Sequence, residues 1–563
     1  MFQGGISCQR VRKGPRAAGV ARTLGGTMLK RTMKRIAMLR PAACAGLLAL
    51  AAGIASPAFA NVVTYPGPGG ITAAADRQVS ADGKPVFVYE TAVNFNRAYT
   101  TTPTLEKTPV AYFDFSGSVA VTVTAPGVAI TSAVLRPISC ATTPTVAGDK
   151  VTFTLTKPGH MTLELNGDVH RALHLFADSI EAHPLTGGDG STRYFGPGVY
   201  EAGEMNLASG QTIYIAGGAV VYGAIRGGSI TNATVRGRGI LSGNHINRDG
   251  GGWKNLVNIH SGSNNISVNG IILFDSPTWN MNIRQTNGMH IDDVKIIGAR
   301  PNSDGIDIVG CQNASINHCF VRAWDDCLCV KSDNTGNTSN INFTGCTIWT
   351  DLAQSMEIGY ETRADLMTGI TFKDIDVIHA FHKPVMSIHV TDRALVEKVT
   401  WENIRVEDAK LNAVPEDNLL MDLWIGTSTW TQDAERGKIN NVTFRNISVL
   451  GGKAVRNRIQ GFDGGHRITG LTYDNVTIMG KPIKTTTDGA FLMSNNDAPT
   501  ITWTAALPIG CTTGIMERDD MPILKLVPGE TRSLLYRRPG DASGAVWDLR
   551  GRSAAVPAAI PLH

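Results

Sequence analysis

Between residues 230 and 480 the chain repeats one short phrase: a few alternating apolar and polar residues, a turn-favouring residue, then alternation again. ATVRGRGIL (233–241), ISVNGIIL (266–273), MHIDDVKI (289–296), ASINHCFV (314–321) and INFTGCTI (341–348) carry it first. ITFKDIDV (370–377), VTWENIRV (399–406), VTFRNISV (442–449) and LTYDNVTI (471–478) continue it. Their third residues are Val235, Val268, Ile291, Ile316, Phe343, Phe372, Trp401, Phe444 and Tyr473, at steps of 33, 23, 25, 27, 29, 29, 43 and 29 residues. Alternation of period 2 means strand, and recurrence at 20–50 residues means a stacked repeat whose coils bury their apolar faces only against one another. The pattern predicts an all-β protein built on a right-handed parallel β-helix. A propeller would need four strands in each blade, and the Leu/Asn consensus of leucine-rich repeats is absent. The two longest steps, 235–268 and 401–444, are expected to carry loop insertions, which often line a binding face. The register also stacks Cys319 and Cys346 on neighbouring coils about 4.8 Å apart. A disulfide and two rungs of a buried ladder are both open, with the ladder favoured because a bridge also needs suitable Cβ geometry.

Upstream the phrase is missing. VTVTA (121–125), AVLRPI (133–138), KVTFTLT (150–156) and MTLELNG (161–167) alternate between Gly/Pro turns, which predicts an antiparallel β-sandwich over 61–182 ahead of a β-helix over 183–500. Residues 501–563, punctuated by Pro and Arg, are expected to pack on the last coils or trail them. Residues 1–60 read as a leader: basic residues to Arg40, an apolar run from Ala42 to Ile54, and Ala58-Phe59-Ala60 as a small-residue cleavage site. That run is shorter than the ~20 residues a membrane span needs. The expectation is an exported protein, periplasmic or secreted, cleaved near Ala60, with no membrane span afterwards.

Removing the leader changes the charge picture. It holds ten of the 52 Lys and Arg and none of the 48 acids, so the remainder has 42 bases against 48 acids and a net charge of −6. Such a surface is ill suited to nucleic acid. Cysteine use adds little: Cys327-Leu328-Cys329 lacks zinc-ligand spacing and has no partner pair, so neither a metal nor a cofactor is expected.

Against only 18% charged residues, NSDGIDIVGCQNASINHCFVRAWDDCLCVKSD (302–333) is dense in acids. Stacking the coils on their strands lays Asp304-Gly305-Ile306-Asp307-Ile308 over Asp326-Cys327-Leu328-Cys329-Val330, with Gln354-Ser355-Met356-Glu357-Ile358 next. Ile306, Leu328 and Met356 point inward, so Asp304, Asp326 and Gln354 share a strand-start position and Asp325 lies one residue before it. Three carboxylates then converge from two coils, the inventory glycoside hydrolysis needs. Close carboxylates raise one another's pKa, which leaves one protonated near neutral pH. The competing reading is that strand-start Asp residues cap local turns. Asp307 falls outside the trio, with a structural or supporting role.

NSDGID followed by DDC resembles the NTD…DDC pattern of glycoside hydrolase family 28, the polygalacturonases, and equally that of family 49, the dextranases and isopullulanases, whose β-helix follows a β-sandwich. The resemblance covers residues 61–500 and implies an inverting hydrolase. It implies Asp325 as general acid and Asp304 and Asp326 as holders of the attacking water, with carboxylates ~6.5–9.5 Å apart. Two departures bear on the substrate. Gln354 stands where polygalacturonases place the His of a GHG motif, and Ser387-Ile388-His389 stands where they place RIK. Without that clamp on a uronate carboxylate, a neutral glycan such as a dextran-like α-glucan is expected rather than pectate. Glu357, Tyr360 and Glu361 are expected to bond its hydroxyls, beside Trp324 and Lys331. Trp324 fits sugar stacking or packing equally, and His389 fits ligand contact or a structural role. A pectin hydrolase, a polysaccharide lyase using Lys331 as base, and a non-catalytic carbohydrate-binding β-helix are the alternatives.

Overall fold

The computed structural model describes residues 61–248, 254–409, 419–453, 456–494 and 499–504, and the backbone of four short strands between 524 and 554. The leader, its cleavage site near Ala60 and the side chains beyond residue 504 lie outside the described residues.

The repeated phrase forms one column of a parallel β-helix with three strands to a coil. One coil comprises Ile306–Val309, Gln312–Asn317 and Phe320–Ala323, and the next Leu328–Asp333, Thr338–Thr344 and Thr347–Thr350. Val235, Val268, Ile291, Ile316, Phe343, Phe372, Trp401, Phe444 and Tyr473 pair in unbroken succession. All are buried, because period-2 alternation sends every second side chain inward. From Phe343 onward the rung is aromatic. Phe343, Phe372, Trp401, Phe444 and Tyr473 stack with centroids 4.8, 5.5, 4.9 and 5.0 Å apart, and Trp503 adds a ring 4.7 Å from Tyr473. The turn residues stack as well: Asn403, Asn446 and Asn475 adopt φ near +55°, which Asn tolerates, and each donates to the coil before it. Cys319 and Cys346 are buried free thiols, two rungs of the ladder and not a disulfide.

Two sheets precede the helix. Asn61–Thr64, Val88–Val93, Ala133–Arg136 and Gly159–Leu165 flank a central pair, Glu106–Ser116 with Asp168–Ser179. That pair alone runs parallel, so this sheet is mixed. Lys84–Val86, Gln78–Ala81, Val119–Thr124, Lys150–Leu155 and Thr145–Ala147 form the antiparallel second sheet. Phe113, Phe115, Val121, Phe153 and Leu175 fill the space between them. Glu106–Ser116 is buried on both faces because its other side chains, Val110 and Tyr112, join Tyr89, Ala172 and Phe176 against the helix exterior at Ile272, Ile297, Phe320, Trp349 and Ile378. Charge crosses this seam too: Arg322, paired with Asp351 at 3.0 Å, meets His174 at 3.1 Å, and Arg136 reaches Glu407 at 2.7 Å.

Candidate active site

Pairing of Ile306 with Leu328 and of Leu328 with Met356 fixes the expected register. The amide of Gly305 donates to the Asp326 carbonyl and that of Cys327 to the Gln354 carbonyl, so Asp304, Asp326 and Gln354 start successive strands. Asp304, Asp325 and Asp326 each bring one carboxylate oxygen within 4.8 Å of the others. This is shorter than the separation implied by the family resemblance. Asp304 and Asp326 are 3% and 7% exposed, and Asp325 is half-buried.

Lys331, on the strand Leu328–Asp333, donates to Asp304 Oδ2 at 2.9 Å and to Asp307 Oδ1 at 2.8 Å, and stands 3.9 Å from Asp326. Its ammonium lies 4.2 Å from the Trp279 ring centroid. Asp307, left aside by the sequence, is therefore tied to the trio through Lys331. Asp304 Oδ1 and Asp307 Oδ2 are buried with no hydrogen-bond partner among the described residues. Asp326 Oδ1 accepts from the Gln354 amide at 3.1 Å.

Burial, and then the charge of Asp304, pushes the Asp325 carboxyl from 3.8 up to about 7, so near neutral pH a large share of it carries a proton. Burial also raises Asp326 and Asp307 well above the usual carboxylate range, against the pull of Lys331. Burial alone would lower Lys331, but Asp304 and Asp307 outweigh it and raise the ammonium well above its ordinary value. That ammonium is committed by hydrogen bonds to Asp304 and Asp307.

The trio opens into a cleft of about 580 Å³ that Gln354, Tyr360, Glu361 and Lys331 also line. Tyr360 and Glu361 reach it through an irregularity in the ladder. Val330 pairs with Ile358 but Ser332 with Thr362, so Gly359, Tyr360 and Glu361 bulge outward opposite Lys331. Gly359 has φ +122°, and a Cβ there would lie 2.2 Å from the His389 carbonyl oxygen, so only glycine permits the bulge.

Three of the expected substrate ligands do not line the cleft. Trp324 is 1% exposed and donates its indole N–H to the Asn96 carbonyl at 2.8 Å, so it packs under the N-terminal domain and cannot stack on a sugar. Glu357 and His389 are buried behind Tyr360, whose ring stacks on His389 with centroids 4.4 Å apart. His389 bridges Glu357 at 2.8 Å and Asp422 at 2.9 Å, and Arg458 holds Asp422 at 2.6 Å. Burial opposes the charge on His389, but Glu357 and Asp422 raise it to about 9. Ser387 also donates to Glu357, so the segment Ser387-Ile388-His389 is spent on this network.

Conversely, the cleft is lined by Asn255, Trp279, Asn282, Arg284, Lys383 and Trp430, none of them foreseen individually. Their only signal in the sequence is position. Asn255 and Trp430 sit in the insertions inferred from the 33- and 43-residue steps, and those insertions do line the cleft.

Residues 201–492, more than half the chain, match the family described as glycosyl hydrolases family 28. The chain belongs to that family. Among curated relatives, a polygalacturonase of Juniperus ashei is 27% identical over 192 residues, covering 33% of this chain and 36% of its own length. An exopolygalacturonase of Zea mays is 28% identical over 197 residues, covering 33% and 44%. The chain thus spans less than half the length of these relatives. Among solved structures, Dex49A from Penicillium minioluteum superimposes with a TM-score of 0.57 at 17% identity, over 79% of this chain and 96% of that one, a likeness of fold. That likeness of fold accords with the family 28/49 resemblance of the sequence.

Proposed function

We propose that this chain is an inverting glycoside hydrolase in which Asp325 is the general acid and Asp304 and Asp326 hold the attacking water. Asp325 protonates the glycosidic oxygen as the C–O bond breaks. Water attacks the anomeric carbon from the other face and gives its proton to the Asp304/Asp326 pair. Two observations carry the reading together: Asp304 Oδ1 is buried without a partner among the described residues, and one Asp304 oxygen lies within 4.8 Å of an oxygen of Asp325 and of Asp326. A buried carboxylate oxygen needs a donor, and one water can reach two acceptors this close at about 2.8 Å from each. On distance alone, ~5–5.5 Å is the spacing of retaining enzymes. Inversion is therefore tested directly: NMR of the first-formed product must show the anomer opposite to the substrate's, and a retained anomer overturns this assignment of roles.

The proposed substrate is a neutral poly- or oligosaccharide of the dextran type. Ser387 and His389 are committed to Glu357, Lys331 is committed to Asp304 and Asp307, and Trp279 and Trp430 offer apolar faces beside Asn255, Asn282 and Gln354. A galacturonan is the second reading, favoured by Arg284 and Lys383 in the cleft wall and by the names of the curated relatives. A panel of dextran, pullulan, polygalacturonate and arabinan, assayed for reducing ends, decides between them. Ultraviolet-absorbing product would instead indicate a lyase, and no product a binding protein. A polymer too large to enter a cell must be met outside it, which accords with the basic-then-apolar leader. Among the described residues no helix is long and apolar enough to cross a membrane.

A further inference from the structure

Tyr99 of the sandwich reaches the rim of the cleft and leaves its ring bare. It sits in the loop between Val88–Val93 and Glu106–Ser116, and that loop is closed on itself. The Asn96 side chain donates to Asn94 Oδ1 at 2.9 Å and to the Thr104 carbonyl at 2.9 Å. The Trp324 indole on the Asn96 carbonyl, and Phe95 at 5.0 Å from the Arg322 guanidinium, pin the loop to the coils. Tyr99 itself donates its hydroxyl to Asn302 Oδ1 at 3.1 Å and accepts from Arg248 at 3.0 Å, with its ring centroid 6.2 Å from that of Trp324. Held in this way, it is still 58% exposed, more than any other large apolar side chain among the described residues. Asn302 lines the catalytic cleft, and Arg248 lines a second hollow of about 350 Å³ with Thr101, Thr102 and Leu105 of the same loop. The ring thus joins the two hollows. A bare aromatic face fixed in one orientation can take the C–H face of a pyranose without further ordering of the protein. We propose that Tyr99 is a distal sugar-binding subsite, at which the sandwich holds a ring of the same glycan chain that is cleaved at the trio.

The placement calls for a chain of sugars and not a single one. Asn302 precedes the strand Ile306–Val309, whereas Trp430, the exposed aromatic of the cleft wall, follows Leu419–Ile425 four coils on. At ~4.8 Å per coil, the two positions flank opposite ends of the strands and lie ~19 Å apart along the helix axis. Only an oligosaccharide spans them past Asp304, Asp325 and Asp326. The inference rests on the hydrolase reading for the nature of the ligand, but not on the roles of the three acids. Its test uses oligosaccharides of dextran, pullulan, polygalacturonate and arabinan, from disaccharide to octasaccharide. Calorimetry reads their affinity for D325N, alone and combined with Y99A or Y99F, and initial rates read KM and kcat of the two single variants against the parent. In Y99A the dissociation constant and KM of the longest bound oligosaccharide should rise about fivefold, with kcat and the disaccharide little affected. Y99F keeps the ring and loses the bonds to Asn302 and Arg248, so it should stay within about twofold of the parent at every length. A loss in Y99F equal to that in Y99A, or one already present with the disaccharide, would make Tyr99 a mere support for Asn302 and overturn the proposal. So would parent-like affinity of Y99A at every length, or no binding of any of these oligosaccharides. A length-dependent loss in Y99A, with no hydrolysis by the parent, leaves the subsite standing and refutes only the hydrolase reading.

Discussion

Replacing Asp325 by Asn removes a proton donor without changing the size of the side chain. General acid catalysis contributes about 10²–10⁴ in rate, so kcat on the polymer is expected to fall by that factor, about 2.7–5.5 kcal/mol of barrier. The parent itself loses the donor as pH rises through about 7. Its activity at pH 8 should be about one-tenth of its acidic plateau and at pH 9 about one-hundredth, a limb missing in Asp325→Asn. An aryl glycoside of the same sugar, whose phenolate leaves without protonation, should recover most of the loss. Stability moves the opposite way. A carboxyl raised from 3.8 to about 7 in the fold costs nothing below about 4 and destabilises progressively from there to about 7. The full shift corresponds to about 4 kcal/mol, reduced by solvent at the cleft mouth to on the order of 2 kcal/mol. Asp325→Asn should therefore raise Tm at pH 8 and leave it unchanged near pH 4. Parent-like turnover, or an equal loss on polymer and aryl glycoside, refutes the acid assignment.

Trp430 is 51% exposed at the cleft. Trp430→Ala should raise KM about fivefold through roughly 1 kcal/mol of lost stacking, with kcat nearly constant in initial-rate assays. His389 has its charge raised to about 9 by Glu357 and Asp422 against burial. Its stabilisation is complete below about 6.5 and lost as pH rises through about 9. His389→Leu should cost about 3–5 kcal/mol in urea unfolding at pH 7, and less near pH 10. Trp401 is sandwiched between Phe372 and Phe444, and Trp401→Ala should cost about 3–5 kcal/mol in the same assay with little change in KM.

What the sequence disclosed followed from its periods. A coil that returns to the same register every 23–43 residues fixes which side chains stack, so the marker ladder and the Asp304/Asp326/Gln354 alignment were legible from one strand at a time. The rest of the cleft depends on partners far away in sequence. Trp324 and Trp430 look alike in composition, but the Asn96 carbonyl of another domain covers the first and leaves the second bare. His389 fits ligand contact and a structural role equally until Tyr360 is seen to bulge over it, and that bulge is set by Gly359. Arg284 and Lys383 belong to no motif and reach the cleft only because their coils stack beside it.

The seam between the sandwich and the coils bears on whether this chain can be treated as modular. The indole bonded to Asn96 belongs to the residue immediately before Asp325, and Arg322, two residues further back, meets His174 of the sandwich. The segment that carries Asp325 is thus anchored in both halves. A coil-only fragment would bare Ile272, Ile297, Phe320, Trp349 and Ile378 as an apolar stripe and strip Arg322 of one partner. Replacing the sandwich by another domain would remove the Asn96 and His174 partners of this segment and so shift the position of Asp325.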